Sequence, residues 1–184
     1  MVVVDMFLLL YWQMAFYNML FLDIFLILIF LVLSAKYVEP YSLEVKEYTI
    51  KNSSLLNGYD GIKVVHFSDT LLRNKNDLEL LDKTITQINT INPELVFFTG
   101  NLFHKSFDKS IIDDTANALN KLKTEFKYFI PGNKDNDDAI KTLNNSLFTN
   151  LDETSKYYFN KEALPIVILG FDGVNDLIFP EENY

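Results

Sequence analysis

Three short polar clusters each stand directly after an apolar run. Ser68-Asp69 follows IKVVHF, Gly100-Asn101 follows LVFFT, and Gly132-Asn133-Lys134-Asp135 follows FKYFI and Pro131. Together they offer carboxylates, amides and an ammonium, groups able to hold a small polar or charged ligand. Read locally, PGNKD is only a turn. Pro131 ends a strand, Gly132 and Asn133 tolerate turn dihedrals, and Lys134 and Asp135 are solvated loop charges. The absence of cysteine excludes thiolate chemistry, and imidazole chemistry is confined to His66 and His104. His66 reads as a packed or hydrogen-bonded residue inside a strand. His104, three residues past Asn101, reads as a loop histidine.

The elements around the clusters decide whether they meet. Ser42–Lys51, SLEVKEYTIK, alternates as a first strand, and Ile62–Phe67 forms the next. Leu78, Leu81, Ile85, Ile88 and Ile91 fall at helical spacing, with Asn76 and Glu79 placed as a capping pair and Asn92-Pro93 as the stop. Leu95–Thr99 is a buried strand. Ile111, Thr115, Ala118, Leu119 and Leu122 make a second helical stripe, and Phe126–Ile130 a further strand. A short helix over Asp137–Leu143 and strands at Tyr157–Asn160 and Pro165–Gly170 complete the pattern. The order β, α, β, α, β predicts parallel strands whose carboxyl ends converge on a ligand crevice. Asp69, Asn101 and the 132–135 turn are therefore expected to come together. Neither GxGxxG nor GxxxxGK[ST] occurs, so no phosphate-cradling glycine loop is present.

Charge is distributed unevenly. The 184 residues carry a formal net charge of −9, yet residues 1–35 hold no Lys or Arg and only Asp5 and Asp23 as acids. The remaining stretch, about 150 residues, is enough for one core. Its acidity excludes a nucleic-acid footprint, which needs clustered Lys and Arg. From Phe7 to Ala35 the chain is almost continuously apolar, and a bilayer core takes about 20 such residues. A buried core helix would need a larger protein around it. A cleaved signal peptide would need a basic start and a shorter apolar run. The expectation is an uncleaved single-pass anchor in the cell membrane over residues 1–36, followed by a domain over residues 37–184. Asp23 costs roughly 2.5–3.5 kcal/mol at a span centre, so it is expected to lie shallow or to face another helix. Lys36 is the only nearby basic flank and specifies orientation weakly.

Taken together, KVVHFSDTLL, NPELVFFTGNLF and FIPGNKD resemble the calcineurin-like metallophosphoesterases, which read SDxH, GD and GNH[DE] after three successive strands. The resemblance runs from about Leu43 to Gly173. It implies an α/β fold: a transmembrane helix followed by the first (βαβαβ) half of an α/β/β/α sandwich, with the later histidine motifs missing and the chain truncated. It also implies two divalent ions (manganese, iron or zinc) and a bridging hydroxide that attacks a phosphate ester. Carried over by position, Asp69 is a metal ligand and Leu71 stands where a histidine belongs. Asn101 replaces the bridging aspartate, Asn133 is a metal ligand, Lys134 replaces the catalytic histidine, and Asp135 is that histidine's partner acid.

Two divalent ions about 3.5 Å apart repel by roughly 19 kcal/mol at an effective dielectric of about 20, so the family surrounds them with anions and imidazoles. The expectation is a degenerate centre holding at most one weak hard cation such as Mg²⁺ at Asp69 and Asn133, with Lys134 competing for the same oxygens or placing its charge near Asp69 or Asp135. Three functional readings follow. One is a catalytically impaired, membrane-anchored phosphoesterase. Another is a residual enzyme completed by a second polypeptide. The third is a non-enzymatic, membrane-tethered interaction domain or truncated gene product. The strand Ile166–Leu169 is expected to be an unpaired edge or poorly ordered, favouring a homo-oligomer.

Overall fold

From Val2 to Tyr37 no glycine or proline interrupts the chain, and these residues form one helix, α1 (Val2–Tyr37). Within it Tyr11–Ala35 is long and apolar enough to cross a membrane, and its large side chains are exposed. The computed structural model describes residues 2–37, 43–52, 57–159 and 164–171. The chain divides into two units, Met1–Val45 and Lys46–Tyr184.

The second unit is built on four parallel strands in the order β1 (Val64–Phe67), β2 (Leu95–Phe98), β3 (Phe126–Phe129) and β4 (Thr149–Asn150). Helices α2 (Asp77–Ile91), α3 (Ile112–Leu119) and α4 (Asp137–Asn145) connect them. The register sets Phe67, Phe98 and Phe129 side by side, so the loops that follow these three strands leave the sheet at one level. Successive strand residues face opposite ways. Val96, Phe98 and Phe129 pack with Leu81, Ile85, Ile88, Leu119 and Leu143 of the helices. Leu95, Phe97, Phe126 and Tyr128 face a second core. That core is closed by a hairpin of β5 (Ser155–Tyr158) and β6 (Ile166–Leu169), which lays Tyr158, Ile166 and Ile168 on the sheet. The described residues of this second unit thus form an α/β/β stack, in agreement with the βαβαβ order read from the sequence.

Several expectations need correction. The strand expected at Ser42–Lys51 is not formed over the described residues 43–51, which belong to no sheet and of which Leu43, Val45, Tyr48 and Ile50 are exposed; Ser42 lies outside the described residues. Alternation marks a strand only when a neighbour supplies hydrogen bonds. Asn76 is αR with no side-chain cap; Asp77 instead ties the preceding loop to the start of α2, its Oδ2 accepting the backbone N–H of Arg73 at 2.7 Å and of Asn74 at 3.3 Å. Asn92 does end α2, in the left-handed conformation that asparagine tolerates. Ile166–Leu169 is not an unpaired edge. It pairs antiparallel with β5, from Ser155 opposite Leu169 to Tyr158 opposite Ile166. The strand expected at Tyr157–Asn160 begins two residues earlier, and Asn160 lies outside the described residues, as does everything in FDGVND beyond Phe171. β4, two residues long, is too short to show a periodicity.

One charge lies in the core. Lys127 of β3 is 5% exposed, donates from Nζ to the carbonyl of Ser146 at 3.1 Å, and sits 5.6 Å from the centre of the Phe148 ring. Ser146 closes the C-terminus of α4, where a cation complements the helix dipole. Burial pushes the ammonium below its usual pKa. Between that lowered value and about 10.4 the unfolded chain binds the extra proton, so the stability contributed by Lys127 rises with pH through its folded pKa and is complete above about 10.4. Lys127→Met should therefore lose stability relative to wild type as pH goes from about 7 to about 10.5. Tyr128 and Tyr158, whose ionisation burial pushes up, are common to both proteins and cancel. Thermal unfolding of both chains in detergent across that range measures the difference; a constant gap would contradict the prediction.

Candidate functional site

The loops after β1 and β2 run together as an extension of the sheet. Asp69 N–H donates to the Gly100 carbonyl at 3.0 Å, Leu71 N–H to that of Asn101 at 3.0 Å, and Leu72 N–H to that of Leu102 at 2.9 Å. Three residues here have positive φ: Asp69 at 54°, Leu71 at 45° and Asn101 at 62°. Aspartate and asparagine adopt that region with little difficulty, whereas leucine pays about 1–2 kcal/mol. Nothing in the sequence signals a left-handed Leu71; the paired loops impose it.

The loop after β3 is locked to this pair by one carboxylate. Asp135 Oδ2 accepts the N–H groups of Asn101 at 2.7 Å and Gly132 at 2.8 Å, while Oδ1 accepts that of Leu102 at 2.8 Å. Expected as a solvated charge or a partner acid, Asp135 instead bonds three backbone amides from two loops. The same contact explains both glycines. A Cβ on Gly100 would collide with the backbone of Gly132, and one on Gly132 would lie 2.5 Å from Asn101 Oδ1. Gly132 is thus required for space rather than for a turn dihedral, since its φ is not positive.

Asp69 and Asn101 meet directly. Asn101 Nδ2 donates to Asp69 Oδ1 at 2.7 Å, and Asn101 Oδ1 accepts the Lys134 N–H at 3.0 Å. The reversed amide would put oxygen against carboxylate and NH₂ against N–H, so both neighbours fix the orientation. Ser68 Oγ donates to Asp69 Oδ2 at 2.7 Å. The Asn101 amide, then the Ser68 hydroxyl, hold the Asp69 carboxyl below its ordinary value; partial burial opposes them, and the charges of Lys134 and His66 add smaller pulls. Lys134 is thus near enough to act on Asp69 but forms no ion pair among the described residues.

The remaining candidates stand apart. Asn133 is an exposed turn residue with no side-chain hydrogen bond among the described residues. His66 is exposed and hydrogen-bonded, the second of its two expected readings, with Nε2 2.7 Å from Thr99 Oγ1. His104 accepts the Ser106 N–H on Nδ1 at 3.2 Å, a local turn contact. Leu71 is half-buried and carries no donor atom. No group of three or more His, Cys, Asp or Glu able to hold a metal ion occurs among the described residues. Thr99, not among the sequence-predicted site residues, takes part through its hydroxyl beside His66.

A family model described as calcineurin-like phosphoesterase matches residues 62–182. Over 67 residues the chain is 45% identical to the protein named "Uncharacterized metallophosphoesterase YkuE" of Bacillus subtilis (strain 168), a match covering 36% of this chain and 23% of the relative. The chain therefore spans about a quarter of the length of that curated relative. The crystal structure of TT1561 of Thermus thermophilus is similar over 60% of this chain and 48% of that one, with a TM-score of 0.44 and 19% identity.

Two outcomes are expected from this geometry. Asp135→Ala leaves three N–H groups without their acceptor and should cost about 2–4 kcal/mol, read by thermal or chemical unfolding. Asn101→Ala removes the main hydrogen bond to Asp69 and should raise that carboxyl's pKa, read by carboxyl carbon NMR titration. Because the folded pKa is depressed, the stability Asp69 contributes is present above about 3.9 and lost as pH falls through the lower folded value. Asn101→Ala should narrow that acid window.

Proposed function

The chain belongs to the calcineurin-like phosphoesterase family, and from that membership we propose that it is a membrane-anchored phosphoesterase-type domain whose own residues do not assemble a two-metal centre. The anchor is residues 1–36, in the cell membrane, and the domain is residues 37–184. The reading rests on one contact: the 2.7 Å hydrogen bond from Asn101 Nδ2 to Asp69 Oδ1. Two bound divalent ions would supply a hydroxide nucleophile and neutralise a phosphate ester. For that, the group between Asp69 and the 132–135 turn must offer negative oxygen. Asn101 offers a donor to Asp69 and spends its carbonyl on the Lys134 amide. The donors present do not fit the ion pair, and the Asn101 amide serves Asp69 in the place of a cation.

What these residues do instead is hold the strand-end loops in the family's arrangement with the charge of Asp69 compensated internally. Asp69 and Asn133 remain as oxygen donors for one weakly held hard cation, with the Lys134 ammonium as its competitor. A second reading, completion by another polypeptide that brings imidazole ligands, is favoured by the intact loop geometry after β1 and β2.

Manganese titration of the full chain in detergent, with hydrolysis of bis(p-nitrophenyl) phosphate as readout, separates these readings. The expected result is no stoichiometric binding of two ions and no turnover. Asn101→Asp should raise manganese affinity about tenfold, or about 1.4 kcal/mol, by turning a donor into an anionic ligand. Two ions bound by the wild-type chain, or turnover without an added polypeptide, would overturn the proposal. Turnover only on adding a histidine-bearing second half would favour completion.

A further inference from the structure

Helix α1 carries an acid where the surrounding residues give it no partner. The apolar run of α1 extends from Phe7 to Ala35, and Asp23 lies inside it, sixteen residues after Phe7 and twelve before Ala35. Twelve residues rise about 18 Å along a helix, more than half of a hydrocarbon core about 30 Å thick. A shallow position for Asp23 is therefore unfavourable. Sliding it to one interface would leave the unbroken Ile24–Leu33 run in water, and sliding the helix the other way would expose Phe16–Leu22. An aspartate is also too short to reach the interface from the midplane, unlike lysine or arginine. The helix offers no internal counter-charge, since residues 1–35 hold no Lys or Arg and the positions three and four away (Met19, Leu20, Leu26 and Ile27) are all apolar.

The composition of α1 also bears on what can approach Asp23. Residues 1–57 contain no glycine, so the close backbone contact by which identical membrane helices often pair is not provided. A second copy would also set one acid against another. Charge complementarity favours a different occupant. We propose that Asp23 is the docking point for a second membrane helix bearing a lysine or arginine near its midplane, forming an ion pair in the bilayer core. This rests on the reading that α1 spans a membrane.

The test uses the full chain in phosphatidylcholine vesicles, donor-labelled through an added terminal cysteine, the native sequence having none. Acceptor-labelled polyleucine helices carry Lys, Leu or Asp at their central position. Alkaline carbonate extraction first reports whether wild type and Asp23→Leu stay in the bilayer. Energy transfer then measures association. The expected result is retention of both chains, association with the Lys helix at least tenfold tighter than with the Leu helix, loss of that preference in Asp23→Leu, and its recovery in Asp23→Glu. Equal affinity for the Lys and Leu helices, or a preference that survives Asp23→Leu, would overturn the proposal while leaving the spanning reading intact. Chain-to-chain transfer without peptide that disappears in Asp23→Leu would overturn it in favour of a second copy. Extraction of the wild-type chain by carbonate would end both readings.

Discussion

The carboxylate of Asp135 is the constraint on which the strand-end geometry depends. Three loops leave a parallel sheet at one level; backbone hydrogen bonds join those after β1 and β2, and the loop after β3 needs a separate hold on that pair. Asp135 supplies that hold by accepting three backbone N–H groups, two from the loop after β2 and one from its own turn. Hydrogen bonds to a charged acceptor are stronger than neutral ones. The resulting close approach is why Gly100 and Gly132 admit no Cβ, and why Asn101 is placed to bridge Asp69 and the Lys134 amide.

That arrangement makes the site internally satisfied. Asp69 has two donors, Asn101 has its donor and acceptor sides matched, and Asp135 accepts three backbone N–H groups. A carboxylate partnered by an amide and a hydroxyl has little left to offer a cation without rearrangement, which is the physical content of the functional proposal. Helix α1 is the reverse case. Asp23 has no complementary charge within its own segment, and its position leaves that deficit to be met from outside.

Much of this was legible beforehand. Helical spacing located α2 and α3 through Leu81, Ile85, Ile88, Thr115 and Leu119, all buried. The three apolar strand runs and their order predicted the parallel sheet, and the polar residues at their ends predicted where a site would be. Other features were not legible. SLEVKEYTIK alternates like a strand but joins no sheet over its described residues, and Asn76 stands at a cap position without its side chain capping the helix.

The sequence alone determined what is periodic or compositional: the apolar span with its internal acid, the βαβαβ order, the family and the residue types at the motif positions. These follow from local spacing and from which side chains avoid water. Only the tertiary structure decided what each polar group is bonded to. Asp135 became a backbone clamp, Asn101 a donor to Asp69, and Gly132 a spacer, because hydrogen-bond partners 32 to 34 residues apart in sequence are set by strand register and loop approach. Register is a property of neighbouring strands, and no single stretch of chain encodes it.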